Sequence, residues 1–457
     1  MTERSVIEYE RGNTMSWYED SVAYQIYPLG LCGAPYENDG VLEHRLLQLI
    51  DNGWIDHMAK LGVGCLILNP VFQSEAHGYD TIDYRQVDVR LGTNDDLRRV
   101  VEACHAKGIR VLLDGVFNHV GRSFWAFADV LKHRESSPYA GWFNIDWRGN
   151  NEYNDGFTYE TWAGVPYLVK LNHHNPQLND YCAKVIRSWE CDYGIDGLRL
   201  DVAYCLDLGF LSYLRTIANE LTEKRGEKFL LLGETMFGDY NRWMGDNLCD
   251  SVTNYEVYKG LWSSMNDANM HEVAYALERQ SGSHPWDLYT GKHLLNFADN
   301  HDVPRIATKL TDKRQLHPLY GIVFGMCGVP CVYYGSEWGI EGEQHFGDHE
   351  LRPALEAPEW NELTDWIAAL AEAKTKSEAL RWGDYTQLCV SPQQLAFSRK
   401  SAHERVIVMV NAADEPAVLH FNAECGCGVD LLTGKDHDFG AGSELKPFEV
   451  KFVLCEK

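Results

Sequence analysis

Carboxylates gather at the ends of apolar runs in this chain. Asp114, Asn118 and His119 close the run RVLLDGVFNH, and Arg199 and Asp201 close IDGLRLD. Glu234 follows FLLLG, and Asp299, His301 and Asp302 follow LLNFA. Apolar strands have no structural need for acids at their ends, so these residue types in these places ask for a chemical role. Arg199 and Asp201 are two apart, which on a strand sends both side chains to one side. Strand geometry then brings Asp201, Glu234 and Asp302 toward one cavity. Like charges raise each other's pKa, whereas a neighbouring guanidinium keeps its partner ionised. On that argument Asp201, beside Arg199, stays ionised as a nucleophile, and Glu234, with no cation adjacent in sequence, is the proton donor. A carboxylate and a carboxylic acid about 5 to 5.5 Å apart are what retaining glycoside hydrolysis uses.

Taken singly, each cluster has an ordinary reading. D-x-x-x-N-H can be a strand end with a turn-forming Asn, R-L-D a structural ion pair, and Thr235 a helix N-cap. Their succession carries the weight, because each stands at the end of a candidate strand. Eight apolar runs supply those strands: AYQIYPL, CLILNPVF, RVLLDGVF, IDGLRLDV, FLLLGETM, SVTNYEV, LLNFADNHD and PCVYYGSE. Such near-continuous apolar character marks strands buried on both faces. After the second run, Leu97, Val100, Val101 and Cys104 recur at helical spacing, and Gly108 is a natural stop. Strand-then-helix units repeated eight times predict an α/β fold, a (β/α)8 TIM barrel, with a doubly wound open sheet as the weaker alternative. The stretch after the third strand is longer than one loop and one helix require, and is rich in aromatics, Asn and Gly. It is read as a small inserted domain over 119–172, between barrel segments 1–118 and 173–379. Beyond Leu380, short alternating runs such as RVIVMVNA predict a C-terminal antiparallel β-sandwich domain over 380–457.

Composition narrows the partners. Apolar residues make up 45% and charged residues 24% of the 457, in the range of globular proteins rather than disordered ones. A net charge of −26 repels phosphate backbones, so nucleic acid is an improbable partner and a neutral ligand suits better. The thirteen cysteines form no paired CxxC array, which points to scattered thiols in a reducing compartment. The N-terminal MTERSVIEYERGNTM carries charges where a leader needs an apolar core, and the longest apolar stretch, Gly321 to Gly335, is too short and too rich in glycine to span a bilayer. A cytoplasmic protein with no membrane partner is expected, and its oligomeric state stays open.

The blocks DGVFNH, GLRLD, GET and FADNHD together resemble those of the α-amylase superfamily, glycoside hydrolase family 13. Two further blocks extend the likeness, HGYDTIDY with Tyr79, and LVKLN before HHNPQ, in a form similar to that of neopullulanases, cyclomaltodextrinases and maltogenic amylases. The resemblance implies Asp201 as nucleophile, Glu234 as general acid/base and Asp302 as the carboxylate that grips ring hydroxyls. It implies Tyr79 stacked on the sugar, His119 and His301 hydrogen-bonded to it, and Arg199 holding Asp201 ionised. Asp348 and Arg352 resemble the pair that binds the next sugar, although four-residue spacing also suits a surface ion pair on a helix. Trp162 is a candidate sugar platform. The implied substrate is an α-glucan oligosaccharide cleaved at α-1,4 bonds. An α-1,6-active or glycosyl-transferring relative, or a non-catalytic sugar-binding subunit, is the alternative.

Two departures bear on cofactors and assembly. Calcium-dependent members carry a histidine four residues after the nucleophile and an aspartate in the fifth block, where this chain has Cys205 and Lys170. A lysine cannot ligate a hard cation and a thiol is a poor partner for one, so no metal and no cofactor are expected. The N-terminal β domain usual in the neopullulanase group finds no room before a first strand near Val22.

Overall fold

The computed structural model describes residues 17–345 and 347–455. The N-terminal stretch MTERSVIEYERGNTM lies outside the described residues. Eight parallel strands form one sheet: β1 (Ala23–Ile26), β2 (Cys65–Leu68), β3 (Arg110–Gly115), β4 (Gly197–Leu200), β5 (Leu230–Gly233), β6 (Ser251–Val252), β7 (Leu295–Phe297) and β8 (Val329–Tyr333). Their spatial order is β6-β5-β4-β3-β2-β1-β8-β7, and a parallel bridge from Thr253 to Leu295 joins the two ends into a barrel. The run SVTNYEV is an exception to its expected form. Only Ser251–Val252 is strand, because Tyr255 already opens the helix Tyr255–Asn266.

Alternation along the strands divides the core in two. Ala23, Cys65, Ile67, Leu112, Leu230, Leu232, Leu295 and Cys331 pack on one another, while Tyr24, Leu66, Val111, Leu113 and Leu198 belong to the larger cluster shared with the helices. Strands buried on both faces therefore read as unbroken apolar runs. The helices have local reasons to start and stop. Thr93 and Asp96 form a reciprocal capping box at the head of Asn94–Ala106. Asn175 caps Pro176–Tyr193, which begins on a proline and ends at Gly194 in a left-handed conformation.

Between β3 and β4 the chain makes the predicted excursion. His119–Gly121 pairs with Leu168–Lys170, Ile145–Asp146 pairs with Thr158–Tyr159, and helix Trp125–His133 packs beside them. This excursion leaves from the end of β3, above the barrel mouth, where its residues can wall a site. The C-terminal part is a six-stranded antiparallel sheet and a two-stranded sheet enclosing Ala396, Ile407, Met409, Leu419, Leu445 and Val453. Among the described residues no helix is long and apolar enough to cross a membrane.

Candidate active site

The strand ends converge on a cavity of about 850 Å³ lined by Tyr79, His119, Asp201, Glu234, Asp302 and Arg352, among others. Arg199 lies beneath it, 2% exposed, and is the hub of the acids. Its guanidinium donates to Asp114 Oδ2 at 2.5 Å and to Glu234 Oε1, while Asp201 Oδ1 stands 3.5 Å away. The expected pairing therefore needs correcting. The two-residue spacing does put Arg199 and Asp201 together, but the parallel register that sets Arg199 beside Asp114 and Leu232 gives the guanidinium closer partners across strands.

Donors distribute unevenly over these carboxylates. Glu234 also accepts from the backbone N–H of Val202 at 2.9 Å, and Asp114 accepts from Asn69 Nδ2 at 3.1 Å and from the Tyr79 hydroxyl at 3.3 Å. Asp201 Oδ2 is buried with no hydrogen-bond partner. Burial pushes Asp201 well above the usual carboxylate range, the Glu234 and Asp114 charges add to it, and Arg199 offsets only part. Burial likewise raises Glu234, against the opposing guanidinium and with the help of Asp302. Two acids that interact this closely titrate as a unit.

The other predicted residues are in the same mouth. His301 Nδ1 faces Gln25 Nε2 at 3.2 Å, a donor, so the ring nitrogen accepts there and Nε2 carries the hydrogen. That Nε2 lies 2.5 Å from the Tyr79 hydroxyl and 3.1 Å from Asp302 Oδ2. Burial, with Arg199 and Arg352 nearby, holds His301 well below its ordinary pKa, so it is a neutral donor. His119 accepts from Asn118 on Nδ1 and leaves Nε2 unpartnered, while burial lowers its pKa to about 3. Trp162 stacks on His119 with ring centroids 5.1 Å apart and borders the cavity. Arg352 is no surface residue: one guanidinium nitrogen lies 3.0 Å from Asp302 and 3.0 Å from Asp348. Its guanidinium carbon lies over the aromatic ring of Tyr27, 4.7 Å from the centroid.

Gln25, Asn69 and Tyr27 were not singled out in the sequence, yet they fix this arrangement. Gln25 Nε2 donates to Asn69 Oδ1 at 3.0 Å, and Asn69 donates onward to Tyr79 and Asp114. Their signal was present as a glutamine inside AYQIYP and an asparagine ending CLILN, polar residues in otherwise apolar strands. Val202, directly after Asp201, sits at φ +40, a costly conformation for a β-branched residue, and so aims its N–H at Glu234.

Lys170 and Cys205 occupy the two positions where calcium-dependent members carry ligands. The Lys170 ammonium lies 2.7 Å from Glu160 Oε1, and its charge acts on the Cys205 thiol. An ammonium already neutralises the carboxylate there, and a thiol is the other neighbour, so these residues do not fit a hard cation. Among the described residues no group of three His, Cys, Asp or Glu side chains is arranged to hold a metal ion.

Comparison with known proteins agrees with this geometry. Residues 52–381 match the family model described as alpha amylase, catalytic domain. A cyclomaltodextrinase from a Bacillus species is 31% identical over 422 residues, covering 87% of this chain and 73% of its own. An intracellular maltogenic amylase from Bacillus subtilis is 30% identical over 344 residues, 72% of this chain and 57% of its own. Among solved structures, the cyclic α-maltosyl-(1→6)-maltose hydrolase of Arthrobacter globiformis in complex with that sugar superposes with a TM-score of 0.80 at 28% identity, covering 96% of this chain and 99% of the other. The chain is therefore a glycoside hydrolase that belongs to the α-amylase family.

Proposed function

We propose that the enzyme hydrolyses α-1,4-glucosidic bonds of malto-oligosaccharides, cyclodextrins or related α-glucans by double displacement. The observation that carries this reading is the pair Asp201 and Glu234 facing one cavity over a shared guanidinium, with Asp201 Oδ2 unengaged. In this reading Asp201 meets the anomeric carbon as a carboxylate, and Glu234 faces the glycosidic oxygen as an acid. Glu234 protonates that oxygen as an Asp201 oxygen bonds to the anomeric carbon and the glycosidic bond breaks. In the second step Glu234 takes a proton from water, the water oxygen bonds to the anomeric carbon, and Asp201 departs as carboxylate. Asp302, His301 and His119 hold the hydroxyls of that sugar, Tyr79 stacks on it, and Asp348 with Arg352 meets the next unit.

A second reading has its own support. The Arthrobacter enzyme matches this chain over nearly the whole of both, and its name records action on a sugar with 1→6 linkages. An α-1,6-active hydrolase uses the same carboxylates and differs in how the leaving group lies. Chromatography of products from maltotriose, γ-cyclodextrin, pullulan and starch tests both. Release of maltose or glucose from maltotriose and cyclodextrin is expected; cleavage of 1→6 bonds alone selects the second reading, and no cleavage of any of the four overturns both. A cytoplasmic setting is proposed with them, supported by the Bacillus relative named intracellular.

A further inference from the structure

We propose that Cys425 and Cys455 are a modification site, a thiol pair that a low-molecular-weight disulfide oxidises to an intramolecular disulfide, stapling the strand Val450–Cys455 in place. Their Sγ atoms stand 2.7 Å apart although 30 residues separate them in sequence, against about 2.05 Å for a formed bond. Sequence alone leaves the thirteen thiols scattered, and the sheet register brings these two together. The strand Val450–Cys455 runs antiparallel to Cys427–Asp430, with Cys455 opposite Gly428. A Cβ on Gly428 would collide with the Leu454 carbonyl, so glycine there lets the two backbones close up. On its other side Val450–Cys455 pairs with Arg405–Asn411, where Val406 faces Leu454. Arg405, at the head of that strand, donates to the Ala423 carbonyl at 2.6 Å and pairs with Glu424 at 3.0 Å. It thereby pins the turn that delivers Cys425, in which Glu424 is held at φ +55. Both cysteines pack on the small core that contains Ile407, Met409 and Val453.

The pair is half-buried, so a small reagent reaches it, and the exposed Cys427 stands nearby. Burial and the adjoining Cys425 thiol push Cys455 up to about 12, against the Arg405 guanidinium, so Cys455 enters second. In the first step Cys425 gives up its proton and its sulfur bonds to one sulfur of the small disulfide, whose S–S bond breaks and releases one small thiol. In the second, Cys455 gives up its proton and bonds to the Cys425 sulfur, and the second small thiol leaves. Two protein thiols are oxidised by two electrons, and the reagent, reduced to two thiols, takes up the two protons. The product closes a loop around the strand Cys427–Asp430 and ends on a strand central to the six-stranded sheet. Val450, on that same strand, is the residue that meets Gly321 of the barrel helix. Such a cross-link stabilises chiefly by constraining the unfolded chain. Neither cysteine lines the cleft, so the staple acts on stability and leaves the site alone.

The test exposes the folded full chain to oxidised glutathione, blocks remaining thiols with an alkylating agent before denaturation, and reads intact mass, peptide map and Tm. Wild type, Cys425→Ser, Cys427→Ser and Cys455→Ser are compared, each checked for folding in the reduced form by circular dichroism. The wild type is expected to lose two hydrogens, to yield a peptide joining Cys425 to Cys455, and to gain about 5 °C in Tm that dithiothreitol reverses. Cys427→Ser should behave in the same way. Cys455→Ser should form no cross-link and instead keep one glutathione on Cys425, with no gain in Tm. Cys425→Ser should likewise show neither cross-link nor gain. Should a serine variant fail to fold, the wild-type peptide map still decides. No cross-link in the oxidised wild type, or one that joins Cys427 in place of either partner, would overturn the site. A Cys425–Cys455 cross-link that leaves Tm unchanged would overturn the staple.

Discussion

Asp201 and Glu234 differ less in their surroundings than the roles we propose for them do, and the difference lies in donors. Glu234 has a guanidinium and a backbone N–H; Asp201 has a guanidinium at 3.5 Å and one oxygen with nothing bonded to it. Glu234→Gln should lose about 10² to 10⁴ in kcat on maltotriose, and much less in the first step on maltosyl fluoride, whose leaving group needs no proton. Equal losses on both substrates would remove Glu234 from the acid role. The pH dependence has a definite sign. Because burial raises Glu234, the alkaline limb of kcat/KM, where the acid loses its proton, should lie above the ordinary glutamate value of 4.5, and Glu234→Gln should abolish that limb. Stability follows the opposite interest. A carboxyl whose folded pKa is raised contributes stability that is complete below its unfolded pKa and is lost as pH rises through the folded one. Asp201→Asn should therefore stabilise the fold at pH 7 by about 1 kcal/mol, a gain that vanishes below the unfolded aspartate value. Thermal unfolding at the two pH values measures it, and an equal gain at both would contradict the burial account. The acids themselves were legible in the sequence because strand ends seldom carry them. Their partners were not: adjacency in sequence assigned Arg199 to Asp201, whereas pairing across β3, β4 and β5 assigns it first to Asp114 and Glu234.

At the scale of elements, the strand Leu168–Lys170 matters most, since Lys170 stands opposite His119 in the ladder and connects the inserted segment to the site. With an ammonium on Glu160, we propose that the excursion holds its shape without calcium. Excess EDTA is expected to leave both Tm and kcat unchanged; a fall in both that calcium restores would show a cation at work. The barrel strands could be read from apolar runs because both faces are buried. The strand Asp384–Val390 could not, since it is an edge strand with one fully buried residue among seven and no apolar pattern to announce it. The short strands Asp436–Asp438 and Ser443–Leu445 escaped for the same reason, each being three residues of mostly polar sequence.

For the whole molecule, the contact between barrel and C-terminal sheet is the feature that composition could not show. Helix Leu316–Gly325 presents two glycines to that sheet. A Cβ on Gly321 would lie 2.8 Å from Val450, and one on Gly325 would lie 3.0 Å from Val408. Arg399, buried in the same interface, donates to the carbonyls of Gly325 and Gly383. Gly321→Val should cost about 1 to 3 kcal/mol by overpacking, read as a lower urea midpoint. An unchanged midpoint would mean that the two parts do not depend on this contact. The charge of −26, by contrast, is hardly touched by the few acids of the site; it is solvated surface and speaks to solubility. All of these parts serve one chemical claim, that Asp201 carries the sugar between two displacements. Mass spectrometry of the enzyme quenched during turnover of a slowly released fluorinated maltosyl fluoride, followed by peptide mapping, tests it directly. The account predicts one glycosyl adduct per chain, located on Asp201; turnover with no adduct, or an adduct on Glu234 or Asp302, would contradict it.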